Sequence, residues 1–187
     1  QTTCDTREAG PEQAVPGVYC TPKGRTVADF LLVTLSDDQF ALRMRRDVVA
    51  AAAEVLGKYI IFSKAELEPS DDGWQIAACW GDDAATLLRS IFTELPEGKY
   101  GAVSGKDFHL VQIDDQGKQF ECYFSTGCEL TNQLTRDCNP GDQGDWEALQ
   151  IAAGIARIES ATVEEFIPQT LNYDLTGFIS FTTGCYT

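Results

Sequence analysis

Four Asp-Asp dipeptides, beginning at Asp37, Asp71, Asp82 and Asp114, divide the chain into apolar stretches of strand or short-helix length. Each falls at a turn or a helix start, where aspartate satisfies backbone donors. That reading is preferred to calcium binding or proton sharing by the pairs. Residues 1–25 read as irregular or short-strand structure. Val27 to Leu35 reads as a buried strand, Asp37-Asp38-Gln39 as a turn, and Phe40 to Met44 as a short paired strand. From Asp47, the residues Val48, Ala51, Ala52 and Val55 recur at helical steps, with Gly57 at the expected C-terminus. Strands are predicted over Tyr59 to Leu67 and Trp74 to Cys79, joined by a turn from Pro69 to Gly73. Trp74, Ile76 and Ala78 alternate onto one face and read as core. Asp82 is placed to cap a helix with Ala84, Leu88 and Ile91 inside, ended by Pro96 and Gly98. Phe108 to Ile113 and Gln119 to Ser125 flank Asp114-Asp115-Gln116-Gly117, a hairpin signal. After a polar stretch, Asp145 can cap a helix through about Ile158, and the chain from Thr162 is read as mostly irregular. Helices interleaved with antiparallel strands make this an α+β chain, and split βαβ packing of ferredoxin-like type is expected in its core.

The 187 residues suit one compact domain or two small ones, and 43% apolar residues suffice for a core. No apolar run is long enough to span a bilayer and no signal-peptide pattern is visible, so a soluble chain is expected. Fourteen basic against 29 acidic residues give a net charge of −15. Such a surface repels nucleic acid and anionic lipid, so direct binding to either is not expected. The seven cysteines form no Cys-x-x-Cys and His109 is the sole histidine, so no metal spacing is present. Cys128 with Cys138 is the most natural local bridge. Composition leaves an exported and a cytosolic protein equally open, since the odd count sits against a disulfide framework.

Four stretches, in order, carry a resemblance to a known family. They are Pro22-Lys23-Gly24-Arg25, Lys58-Tyr59-Ile60-Ile61-Phe62-Ser63-Lys64, Phe166-Ile167-Pro168-Gln169 with Asn172, and Gly177 to Thr187. The last contains Gly184-Cys185-Tyr186-Thr187 and is similar to the approach and start of the signature Lys-Gly-Cys-Tyr-Thr-Gly-Gln-Glu. The first two motifs are weak alone; the last two together are specific. On them the chain resembles the YgfZ family of folate-binding proteins, relatives of the glycine-cleavage aminomethyltransferase (GcvT). Thr183 stands where that family usually has lysine. The resemblance implies a partial chain, residues 1–187 forming a folate-binding region without the family's first strands and C-terminal barrel. It also implies the aminomethyltransferase-like fold, tetrahydrofolate as ligand, a cytoplasmic setting with reduced thiols, and support of iron–sulfur enzymes, one of which thiolates tRNA.

Carried onto this sequence, the resemblance makes Cys185 the candidate catalytic thiol, against a buried structural cysteine. It makes Trp146 the candidate folate-stacking residue, against an ordinary core aromatic at a helix start. Arg43, Arg45 and Arg46 could fork around the glutamate tail of folate, but a solvated basic face is the preferred reading. His109, inside a predicted strand without a nucleophile elbow, reads as structural. The loop from Asp137 to Glu147 breaks the EF-hand pattern at Ala148, so no metal is expected. The leading expectation is a folate-binding accessory protein, not an enzyme in its own right, that sustains iron–sulfur proteins and through them tRNA modification. A folate-dependent aminomethyl transferase is the alternative, and an exported disulfide-stapled module a more distant one.

Overall fold

The central strand of the fold is buried along nearly its whole length, and that explains why its sequence does not alternate. A computed structural model describes residues 3, 7–60, 63–69 and 73–180. In it β1 (Val15–Cys20), β2 (Thr26–Thr34) and β3 (Phe40–Arg43) form an antiparallel sheet in that order. The turn into β2 runs through Pro22-Lys23-Gly24-Arg25, closed by Thr21 N–H on the Arg25 carbonyl, with Gly24 at φ 74°. A side chain at that φ would be strained, so glycine is required there. One face of β2 packs on helix α1 (Arg46–Ile60), where Ala28 meets Val48 and Ala52; the other faces a second sheet through Leu31 and Val33. A strand covered on both faces reads as a continuous apolar run.

The second sheet is also wholly antiparallel. It comprises β4 (Trp74–Trp80), β5 (Ala102–Ser104), β6 (Phe108–Gln112) and β7 (Gln119–Ser125), in the order β4-β7-β6-β5. The β6–β7 hairpin forms where expected. Asp114 accepts from the amides of Lys118 and Gln119, and Gly117 sits at φ 69°. The outer face of this sheet, Leu110, Phe120, Cys122 and Phe124, is covered by helix α2 (Ala84–Ile91) and by Leu134 of helix α3 (Glu129–Asp137). Its inner face, Val111, Ile113 and Tyr123, meets the first sheet. Helix α4 (Gln143–Ala152) follows, then an irregular segment whose Phe178 stacks on Tyr173 at 4.9 Å. The α+β class with antiparallel sheets and helices is as expected.

Several local expectations fail for identifiable reasons. Tyr59 and Ile60 belong to α1 and residues 63–67 form no strand: the helix runs through Gly57 to Ile60, supported by the Glu54–Lys58 pair at 3.1 Å. One glycine costs a helix only about 1 kcal/mol, less than this alanine-rich segment supplies. On β4, Ala77 and Cys79 face the helix-covered layer, whereas Ile76 is 53% exposed on an incompletely covered edge. Asp82 does not cap α2; it pairs with Lys118, and Asp83 holds the N-cap position without a side-chain bond. That helix stops at Ile91, ahead of Pro96 and Gly98. Helix α3 lies in the stretch read as merely polar, because Leu130 and Leu134 alone mark its inner face. Asp142 rather than Asp145 caps α4, accepting from Gly144 N–H at 2.7 Å. The helix ends at Ala152, not Ile158: Gly154 turns at φ 72° and Ile155 N–H returns to the Gln150 carbonyl, a glycine-dependent stop.

Candidate functional site

An acidic residue within an apolar strand must find a partner, because a buried unpaired charge is costly. Asp29 lies inside β2 and is 2% exposed. Its carboxylate accepts from Ile158 N–H at 2.7 Å and from the Arg157 guanidinium at 2.8 Å. Arg157 also donates to the Gln150 side chain at 3.1 Å, and Gln150 donates to Gln119 at 3.0 Å. This chain of polar groups joins the two sheets to the end of α4.

A second buried pair crosses the same interface. Arg43, opposite Leu31 in the β2–β3 register, shares the face of Leu31 and Val33. Its guanidinium forks onto Glu121 of β7 at 2.9 and 2.8 Å, and Tyr123 O–H donates to the same carboxylate at 2.6 Å. Burial, with Glu121 alongside, pushes the Tyr123 hydroxyl well above its usual value. The solvated-face reading therefore fails for Arg43. Arg45 makes looser ion pairs with Asp47, Glu147 and Glu159 at 3.4–3.5 Å, and Arg46 is exposed at the start of α1.

Tyr100 connects this interior to a cavity of about 530 Å³ that Thr3, Glu8, Gln13, Gly177 and Ser180 also line. It adopts φ 62°, which a bulky residue rarely takes up, and its buried hydroxyl has no hydrogen-bond partner among the described residues. Burial pushes this hydroxyl up to about 12, while Arg157 and Arg43 act in the opposite sense. Tyr100 thus combines a strained backbone beside the cavity with a hydroxyl shut away from solvent.

Trp146, in the first turn of α4, is half-buried. Its ring lies 5.7 Å from that of Trp80 at 49° and packs on the apolar cluster containing Leu31, Val33 and Tyr100. Gly141 lets α4 approach so closely, since a Cβ there would run into the Trp80 ring. Trp146 does not itself line the cavity at Tyr100. Cys185 lies outside the described residues. Two of the sequence motifs do meet: Thr26 N–H donates to the Phe166 carbonyl and Arg25 to that of Glu165, 140 positions away. Cys128 and Cys138, read as the natural local bridge, are both free. They stand at opposite ends of α3, about 15 Å apart at helical rise, beyond the reach of a disulfide.

His109 lies within β6, inside the strand expected from the sequence. Its Nδ1 meets Ser104 Oγ at 2.8 Å and its ring lies 5.1 Å from Trp74. Burial lowers its pKa from the ordinary 6.5, so the unfolded chain takes up the proton more readily than the folded one. Its stabilising contribution is complete above about pH 6.5 and is lost as pH falls through the folded value. Urea unfolding of wild type and His109→Gln across this window should show the variant losing less stability on acidification. Equal losses would remove His109 from the acid response.

The residues that sequence reasoning passed over are Asp29, Tyr100, Glu121, Gln150 and Arg157. Asp29 and Glu121 carried a usable signal, a lone carboxylate between apolar neighbours (Ala28 and Phe30, Phe120 and Cys122). Among the described residues no helix is long and apolar enough to cross a membrane.

No family model matches the chain. It is 31% identical over 189 aligned residues to the "tRNA-modifying protein YgfZ" of Yersinia pestis strain Pestoides F, and equally to that of Yersinia pestis bv. Antiqua strain Angola. Each alignment covers 100% of this chain and 57% of the relative, so the chain spans little more than half the length of these curated relatives. Among solved structures, the glycine cleavage system aminomethyltransferase T from Bartonella henselae superposes with a TM-score of 0.55. That match covers 73% of this chain and 41% of the other at 16% identity, and bears on fold alone. The aminomethyltransferase-like fold expected from the sequence is the one observed.

Proposed function

This chain is a homologue of the YgfZ proteins over its whole length, and from that premise we propose that it binds tetrahydrofolate and supports tRNA modification by sustaining iron–sulfur enzymes. The observation that carries ligand binding is the cavity of about 530 Å³ beside Tyr100, with Thr3, Glu8 and Gln13 also in its lining. Trp146 belongs to the apolar cluster on which Tyr100 packs and keeps part of its indole accessible to a pterin or benzoyl ring. The net charge of −15 favours an indirect route to tRNA, since such a surface repels a polyanion. Cys185 is assigned the chemistry or cluster contact of the reading, in a reducing cytoplasmic setting that suits the five free thiols described. The aminomethyltransferase-like fold leaves one-carbon transfer as a second reading, because fold kinship does not fix chemistry.

Titration with tetrahydrofolate, followed by tryptophan fluorescence, tests this. Saturable quenching is expected, with affinity reduced roughly tenfold in a folded Trp146→Ala variant, the scale of one lost stacking contact. Cys185→Ala should bind as wild type does. Undiminished affinity and quenching in Trp146→Ala would remove the stacking role, and absence of binding by wild type would remove the folate reading of this region. Turnover of an aminomethyl donor with tetrahydrofolate would favour the enzyme instead.

A further inference from the structure

Helix α4 is docked on the second sheet by two contacts that lie one turn apart. Trp146 and Gln150, at i and i+4, share one face of the helix. Trp146 meets the ring of Trp80 at 5.7 Å and 49°, and the Gln150 side chain donates to that of Gln119 at 3.0 Å. Trp80 and Gln119 are directly opposed in the β4–β7 register, so one cross-strand pair receives one helix face. The approach to α4 is fitted to the same ring. Gly141 stands where any Cβ would overlap the benzo edge of the Trp80 indole, and the next residue, Asp142, caps the helix. A tilted ring pair at this separation attracts beyond the area it buries. Both indoles are half-buried, and Trp146 also packs on the cluster of Leu31, Val33 and Tyr100.

We propose that Trp80 is a positioning residue for the planar ring of bound folate: it fixes the Trp146 indole in the orientation on which that ring stacks. The inference rests on the folate reading above and gives Trp80 a role that acts through Trp146, without touching the ligand. An indole in the first turn of a helix turns about two side-chain torsions, and any ordering left until binding subtracts from affinity. Held by the apolar cluster and by Trp80, Trp146 has already lost that freedom in the folded chain, so stacking costs little further order. Gly141 serves the same end at one remove, because a larger residue there displaces the ring that holds Trp146.

The test is calorimetric titration of the full chain with tetrahydrofolate, a readout that does not depend on which indoles remain. Trp80→Ala should weaken binding about fivefold, the scale of one aromatic pair contact. In a Trp146→Ala background the same change should weaken it less than about twofold, because residues that act through one another are not additive. Trp80→Phe keeps a ring in place and should bind within about twofold of wild type. Gly141→Ala retains both indoles and should reproduce the Trp80→Ala loss, again only while Trp146 is present. In the free chain, far-ultraviolet circular dichroism should show the exciton couplet of two indoles in contact, lost in both Trp80→Phe and Trp146→Ala. Should Trp80→Ala fail to fold, Gly141→Ala decides alone. Unchanged affinity in these two variants, or an equal loss with and without Trp146, overturns the positioning role and leaves the folate reading standing. No binding by wild type overturns both.

Discussion

Truncating Glu121 to alanine should lower the unfolding free energy by about 3–5 kcal/mol, as loss of one member of a buried ion pair does. Glu121 is 5% exposed and accepts three hydrogen bonds: two from the Arg43 fork and one from Tyr123. Its removal leaves the Arg43 guanidinium in the interior without its ion-pair partner, and that stranded charge is the larger part of the loss. Adding Arg43→Ala should therefore give a double variant less destabilised than the sum of the two single changes, since the residues are directly coupled. Urea unfolding of the four proteins measures this. A single-variant loss below about 1 kcal/mol would place the pair in the class of exposed ion pairs and contradict its burial.

Asp29→Ala should produce the second large effect, also about 3–5 kcal/mol by the same argument. It removes the acceptor for Arg157 and for the Ile158 amide, and both groups stay inside the fold. Asp29→Asn keeps the size and one acceptor oxygen and should cost less. The loss should also be local: the Ile158 amide, bonded to a side chain rather than to a ladder, should exchange with solvent faster in either variant. Hydrogen exchange unchanged at Ile158 while global stability falls would show that Asp29 acts through Arg157 alone.

What the sequence determined by itself is local or carried by motif. The apolar run of β2, the Asp114–Gly117 hairpin, the start of α1 and the inner face of α2 each follow from periodicity or turn chemistry within a dozen residues. The four motifs brought the chain to the YgfZ proteins that it matches along its whole length. Where local signals were faint or doubled, they misled. Two leucines were too few to mark α3, and Asp142 lay three residues ahead of an equally plausible cap at Asp145. Only the tertiary structure decided which partners the buried polar groups take. Arg43 reaches a glutamate 78 positions away and Arg157 an aspartate 128 positions away. The basic island looked solvated because its partner lies on another sheet. Cysteine spacing favoured Cys128 with Cys138, yet a helix holds these two apart. A helix or turn is fixed by neighbours in the chain, which the sequence prints side by side. A buried charge is matched by whatever the packing of distant elements brings within a few ångströms, and that distance exists only once the chain has folded.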